Sequence, residues 1–288
     1  MKNYLKLIRI NQWVKNSFVF LPIFFAGELL NTQLFIKTII GFFIFSFIAS
    51  SIYVINDYAD VESDRLHPEK KKRPIASGAV SKNEALIVFL FLIAVSYLMC
   101  WLWGNWKTAV VVSTYFVINI AYSFKLKHIA IIDVMIIAIG FLLRVFTGGY
   151  MTGLRISIWG ILLTFFLALI MGIGKRRGEL LNEELKGKTR RALDGYNLQF
   201  TDMTMTVVSA CVIVCYTMYT LDPQTQKNFH RDIVYTVIFV VAAIFRYLQQ
   251  SIVFNKAESP TKLVFTDLFL QINVILWGLS IFFLKYFI

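Results

Sequence analysis

Long apolar runs broken by short polar stretches set the rhythm of this chain. Nine segments have the length and composition of membrane-spanning helices, at approximately 17–31, 36–55, 83–103, 106–123, 130–150, 157–173, 203–221, 231–254 and 263–287. About twenty apolar residues in a helix cross the ~30 Å hydrocarbon core of a bilayer. Segments 106–123 and 157–173 are short for that and suit a thin or locally deformed region. The first residues, MKNYLKLIRINQWVK, lack a compact apolar core followed by a small-residue cleavage site. Residues 1–16 therefore read as an interfacial amphipathic lead-in, not a removed signal peptide. The longest polar stretches are 56–82 and 174–202, and no soluble domain intervenes. The expectation is an all-α, polytopic chain with a single transmembrane domain over 1–288.

Charge gives the orientation. With the N-terminus inside, segments 1–16, 56–82, 124–129, 174–202 and 255–262 face the cytoplasm and hold 21 of the 29 Lys and Arg residues. The opposite side holds 6, and Arg144 and Arg246 lie within spans. The positive-inside rule then predicts N-in and C-out, with every charged cluster on the cytoplasmic side of a cell (plasma or inner) membrane. A composition of 58% hydrophobic residues excludes a soluble domain of this length. In a membrane protein, a net charge of +12 points to anionic lipid and phosphorylated substrates, not nucleic acid. Cys100, Cys211 and Cys215 sit in apolar segments with no His nearby and read as small buried hydrophobes. Homo-oligomerisation is left open.

The polar stretch NDYADVESDRLHPEKKKRPIASG, residues 56–78, follows the second span. On a continuing helix, Asp57, Asp60 and Asp64 fall within about a 60° arc, whereas Glu62 points elsewhere. Three carboxylates on one stripe repel one another at a helix end that is already partially negative. A hard cation such as Mg²⁺, held by carboxylates and substrate phosphates, relieves that repulsion, and Asn56 adds a neutral oxygen or a phosphate donor. The competing reading is a solvated loop whose acids pair with Lys70, Lys71, Lys72 and Arg73. A second cluster, GIGKRRGELLNEE at 172–184, places Lys175 and Arg176 beside Glu179, with Glu183 on the same face if the helix continues. These cations suit phosphate oxygens, and positive-inside flanking explains them equally well. Asp133 opens the fifth span, where a helix N-terminus favours a carboxylate. Arg144 lies roughly 16 Å deeper along the same face. At that depth it costs about 2.5–3.5 kcal/mol and must face a cavity or a partner; bonding to helix-end carbonyls is the structural alternative. His128 reads as interfacial. Arg246 and Asp267, on the last two spans, read as a structural pair, with Gln271 a further polar position there.

With these residues in place, the chain resembles the UbiA superfamily of intramembrane prenyltransferases. The likeness rests on the NDxxDxxxD motif (Asn56, Asp57, Asp60, Asp64) at the end of the second span and the trailing RPI-x-x-G (Arg73, Pro74, Ile75, Gly78). It implies a helical bundle with a central cavity, in which Asp-bound Mg²⁺ neutralises a diphosphate. The second Asp cluster of the aromatic prenyltransferases is missing; GKRRGELLNEE and LDGYN stand in its place. That departure is similar to the polyprenyl-phosphate (decaprenyl-phosphate) phosphoribosyltransferase branch. So are QWVKN at 12–16, AYS-x-x-LKH at 121–128 with Asp133 following, G-F-x-L-R at 140–144, GKR at 174–176 with Glu179, and Tyr196.

In that branch the diphosphate belongs to phosphoribosyl pyrophosphate and the nucleophile is a polyprenyl phosphate, with the product serving cell-wall or glycan precursor synthesis. A phosphate monoester is already anionic near pH 7, so no general base is needed. Catalysis then rests on leaving-group neutralisation, alignment and stabilisation of an oxocarbenium-like centre. The resemblance implies that Asp57, Asp60 and Asp64 hold Mg²⁺ and pyrophosphate, assisted by Asn56 and Arg73. Tyr122, Lys125, Lys127, Asp133, Lys175, Arg176, Glu179 and Tyr196 then bind the phosphoribosyl group, and Arg144 contacts phosphate deep in the cavity. Trp13, Lys15 and Asn16 either receive the lipid phosphate or act as a plain membrane anchor. Two other functions remain open: prenyl transfer to an aromatic or quinone precursor, and transport. Against transport, no repeated half-chain topology around broken helices is visible.

Overall fold

The computed structural model describes residues 2–66, 70–186, 191–256, 263 and 266–288, and every regular element among them is helical. Apart from short 3-10 and π-helical turns, these are in chain order α1 (Lys2–Leu7), a 3-10 run (Ile10–Phe20), α2 (Leu21–Phe25), α3 (Thr32–Ala59), α4 (Val61–Leu66), α5 (Lys82–Trp103) and α6 (Trp106–Phe124). They continue as α7 (Ile132–Thr152), α8 (Ile158–Lys186), α9 (Leu198–Leu221), α10 (Pro223–Phe229), α11 (Val237–Leu248) and α12 (Leu268–Tyr286). Among the described residues, eight helical stretches are long and apolar enough to cross a membrane: α3, α5, α6, α7, the first part of α8, α9, Arg231–Val253 and α12.

The expected helix over 17–31 is replaced by the 3-10 run, the five-residue α2 and a turn at Gly27 with φ +71°. The reason is a matching of rises. A 3-10 turn climbs about 6 Å in three residues, and four residues of α-helix climb about the same. Trp13 Nε1 thus donates to Ser50 Oγ at 2.9 Å, and Asn16 Nδ2 donates to Ser46 Oγ at 2.9 Å, three positions along one chain against four along the other. Backbones approach closely here: a Cβ on Gly148 of α7 would collide with the Val19 carbonyl. Small residues at such contacts are the common solution where lipid surrounds the helices.

Helix starts are capped by the residues the sequence offers. Asn31 accepts from Leu34 N, Asn197 from Phe200 N and Asp267 from Leu270 N. Ser81 and Glu84 form a capping box at α5. Glu84 also accepts the Tyr4 hydroxyl at 2.9 Å, fixing α1 against the start of α5.

The chain divides into two compact units. The first comprises residues up to Phe24, Glu28–Phe124 and Leu143–Arg155. Its core gathers Leu7, Val54, Val61, Ile75, Val80, Ala85 and Leu92, and Ser96 Oγ donates to the Ile44 carbonyl to tie α5 to α3. The second comprises Phe25–Gly27, Lys125–Leu142 and Ile156–Ile288. Its core includes Val134, Ala138, Ile170, Ile173, Met205 and Leu270. Here Arg246 pairs with Asp267 as expected, Nη2 to Oδ2 at 2.8 Å with Nε bonding both carboxylate oxygens. Cys100 and Cys215 are buried and Cys211 half-buried, all three as free thiols. Residues 257–262 of the expected loop 255–262 lie outside the described residues.

Candidate functional site

The first unit carries the acidic motif. Helix α3 ends at Ala59, Asp60 leaves helical geometry at φ −91° and ψ 7°, and α4 begins at Val61. The ladder nearly continues, since Asp60 N donates to Asn56 O and Asp64 N to Asp60 O. The stripe therefore survives for two acids of three. Arg73 Nη1 lies 3.1 Å from Asp57 Oδ1 and 2.8 Å from Asp64 Oδ2, and both carboxylates are almost fully buried. Arg9 Nη2 reaches the same Asp57 Oδ1 at 2.5 Å. Asp60 is half-buried, and its carboxylate bonds no other described residue. Asn56 is half-buried one position before Asp57. Lys70–Lys72 form a short exposed 3-10 turn, and Arg73, which follows it, joins the acids.

Above Asp57 opens a cavity of about 530 Å³, lined by Lys2, Lys6, Arg9, Asn11, Gln12 and Arg73. None of the first five was expected at the site. Their approach depends on the backbone at Arg9, whose φ of 51° and ψ of 53° turn α1 back over α3. A left-handed Arg carries no sequence signature.

Trp13 and Asn16 lie deeper and spend their polar atoms internally. Asn16 Oδ1 accepts from Arg144 Nε at 2.9 Å, so two residues expected in separate roles are bonded to each other. Arg144 is 6% exposed, with its guanidinium over the rings of Phe45 and Tyr115 at 4.7 and 5.2 Å and Nη2 3.4 Å from Tyr115 OH. Such stacking suits a desolvated guanidinium. Lys15 is half-buried on the 3-10 run, and Tyr122 is half-buried near the end of α6.

The second unit gathers the other cluster. Arg176 Nη1 donates to Glu179 Oε2 at 2.5 Å, and Nε lies 3.5 Å from Asp133 Oδ2. Tyr196 OH donates to Asp133 Oδ1 at 2.8 Å and accepts the Ile131 N–H at 2.7 Å. Burial first, and then the bond to Asp133, push the Tyr196 hydroxyl above its ordinary range, so it stays a neutral donor. Ile131 itself has φ 69°, an unusual conformation for a β-branched residue and a mark of local strain. Arg176 and Asp133 are both 0% exposed, yet among the described residues Arg176 Nε and Nη2 and Asp133 Oδ2 make no hydrogen bond, the Nε–Oδ2 contact at 3.5 Å being an ion pair alone. A buried donor or acceptor left without a partner costs about 1–3 kcal/mol, so a water or ligand oxygen placed here would be stabilised.

Lys175 is largely exposed, 3.8 Å from Glu179. Lys125 and Lys127 lie at the 3-10 turn Leu126–His128, with Lys125 exposed and Lys127 half-buried. Helix α8 does continue to Lys186, but the Glu183 side chain lies outside the described residues. Sequence reading missed Arg177, which is 5% exposed and bonds Asp202 Oδ1 at 2.5 Å, the Ser251 carbonyl at 2.7 Å and Asn255 Oδ1 at 2.8 Å.

Among the described residues, no group of three or more His, Cys, Asp or Glu could hold a metal ion by itself. The triple Asp set is therefore not closed. Asp57 and Asp64 nevertheless converge on one cationic atom, Arg73 Nη1. Two hard carboxylates, completed by phosphate oxygens and water, are the donor set that Mg²⁺ takes, so this pair fits once Arg73 yields its place.

The family model described as the UbiA prenyltransferase family matches residues 17–176. A decaprenyl-phosphate phosphoribosyltransferase of Mycolicibacterium smegmatis is 33% identical, with 95% of this chain and 89% of that protein covered. The one of Corynebacterium glutamicum is 32% identical, covering 95% and 83%. Among solved structures, a UbiA homolog from Archaeoglobus fulgidus bound to DMAPP and Mg²⁺ superposes with a TM-score of 0.69 at 18% identity, over 97% of this chain and 99% of that one.

Proposed function

This chain belongs to the UbiA prenyltransferase family and is a membrane enzyme acting on prenyl phosphates; within it, we propose transfer of the 5-phosphoribosyl group of phosphoribosyl pyrophosphate to a polyprenyl phosphate of decaprenyl type. A phosphate oxygen of the lipid attacks the ribosyl C1, and the C1–O bond to pyrophosphate breaks with its electron pair leaving on pyrophosphate. No proton has to move. The product feeds a cell-wall or glycan precursor.

One observation carries this choice: the completely buried, unfinished group of Arg176 and Asp133. The Arg176 Nη2 amino group, which bonds no other described residue, asks for an anionic oxygen, and Asp133 Oδ2, met only by Arg176 Nε at 3.5 Å, can accept from a hydroxyl. A phosphorylated sugar offers both, whereas a prenyl diphosphate offers no hydroxyl. Glu179 and Tyr196 orient the pair, and Lys125, Lys127, Lys175 and Tyr122 supply further phosphate or hydroxyl contacts. A hydroxybenzoate also presents a hydroxyl and an anion, and it is the second reading; the names of the relatives favour the sugar.

Asp57 and Asp64 hold Mg²⁺ with the pyrophosphate, and Asp60 and Asn56 serve as outer donors. When bound, Mg²⁺ neutralises the leaving charge. Arg73 and Arg9 balance these acids beforehand, and Arg144 fixes the lead-in through Asn16. The whole of 1–288 acts as one UbiA-like domain, N-in and C-out in the cell membrane, with its chemistry on the cytoplasmic side. A ninth crossing is supplied by Ile10–Phe25, which rises roughly 30 Å when eleven residues advance at 3-10 spacing and five at α spacing. Calorimetric titration of the purified protein with phosphoribosyl pyrophosphate and Mg²⁺ tests the assignment. Arg176→Met and Asp133→Asn should each weaken binding about tenfold or more. Undiminished binding in both variants would refute it.

A further inference from the structure

The cavity above Asp57 holds more positive charge than the acids beneath it require. Lys2 and Lys6 stand four residues apart on α1, hence on one face, and neither bonds a carboxylate of any described residue. Their helix is held in one orientation. Leu7 is fully buried in the core of the first unit, and Tyr4 bonds Glu84. Arg9 keeps a left-handed backbone, costing roughly 1–2 kcal/mol, in order to aim its guanidinium at Asp57. Four cations, Lys2, Lys6, Arg9 and Arg73, face two carboxylates, Asp57 and Asp64, leaving a surplus of two positive charges.

A phosphate monoester carries about −1.5 to −2 near pH 7, and it matches that surplus. The cavity, at about 530 Å³, is larger than a phosphate, and the apolar Leu5 is part of its wall. Tyr4, Leu5 and Ile10 are 38–44% exposed on the same lead-in, the profile of a segment lying in a membrane interface. We propose that this cavity seats the phosphate head of the polyprenyl lipid, with Lys2 and Lys6 as its principal contacts. Trp13 and Asn16 are thereby left to their internal bonds. The lipid's role as acceptor rests on the phosphoribosyl-transfer reading; the anion site does not.

The test measures binding without turnover. Full-length protein in nanodiscs of neutral phosphatidylcholine is titrated with polyprenyl phosphate, polyprenol, inorganic phosphate and phosphoribosyl pyrophosphate, and followed by native mass spectrometry and thermal unfolding. The Lys2→Gln/Lys6→Gln variant should melt as the wild type does and bind polyprenyl phosphate about tenfold more weakly. It should bind phosphoribosyl pyrophosphate unchanged, and inorganic phosphate should compete with the lipid while polyprenol does not. Weakened phosphoribosyl pyrophosphate binding with the lipid unaffected would give the cavity to a soluble phosphate and overturn the proposal. So would an unchanged affinity for the lipid. Wild-type protein that binds the lipid through these lysines but ignores phosphoribosyl pyrophosphate would sustain this site and sink the phosphoribosyl reading.

Discussion

Replacing Arg73 by Met removes the one cation that joins two buried carboxylates while keeping most of the apolar stem. Its Nη1 bonds Asp57 at 3.1 Å and Asp64 at 2.8 Å, and the guanidinium side chain is 27% exposed. Charge-assisted bonds of this kind contribute about 1.5–3 kcal/mol each, and stripping one partner from a buried pair costs about 3–5 kcal/mol. Arg9 remains on Asp57, and partial exposure of Arg73 weakens its share. The expected net loss is therefore about 2–3 kcal/mol, or about 3–5 °C in melting midpoint for a chain of this size. Mg²⁺ at ten times its dissociation constant would return about 1.4 kcal/mol. Thermal unfolding in detergent, with and without Mg²⁺, reads both numbers. The variant should melt lower than the wild type without metal and gain more from Mg²⁺, because the ion no longer competes with a guanidinium. A variant whose midpoint ignores Mg²⁺, or one that responds no more than the wild type, would refute the idea that these acids exchange an arginine for a metal.

Asp60→Asn should abolish turnover yet shift stability by less than about 0.5 kcal/mol, since its carboxylate bonds no other described residue; retained activity would remove Asp60 from the site. Gly148→Ala should abolish folded protein on size-exclusion chromatography, because its Cβ meets the Val19 backbone carbonyl and not a yielding side chain. The Asp267 carboxyl is held below its usual value, chiefly by the bonds from Arg246. Its contribution to stability is thus complete above about pH 4 and is lost as pH falls through the depressed value. The difference in melting midpoint between wild type and Asp267→Asn should be constant from pH 8 to 5 and shrink below that window.

Elements governed by local pattern were legible in the sequence. Segments 36–55, 83–103 and 106–123 became α3, α5 and α6 with shifts of a few residues, and Arg246 meets Asp267 as the two polar positions in apolar spans suggested. Segment 157–173 stops short in the sequence because Lys175 and Arg176 look like a boundary. Arg176 is fully buried, and α8 runs on to Lys186. What stayed hidden depends on partners distant in the chain. The 3-10 run answers the serine spacing on α3, not its own composition. Arg9 reaches Asp57, and Lys2 and Lys6 reach the cavity beside it, only through a backbone conformation at Arg9 that its identity does not favour. Asp60 belongs to the motif, yet the kink at its own position separates it from the pair that shares Arg73. The motif told where an acidic site lies; its charge balance came only from the fold.

The proposed reaction moves a phosphoribosyl group onto a lipid phosphate. Purified protein with Mg²⁺ is given phosphoribosyl pyrophosphate labelled in the ribose together with a polyprenyl phosphate, and in parallel a prenyl diphosphate with an aromatic acid. Phosphoribosyl transfer gives ribose label in the extracted lipid, released pyrophosphate in equal amount, and no prenylated acid. An unlabelled lipid alongside a prenylated aromatic product would contradict it.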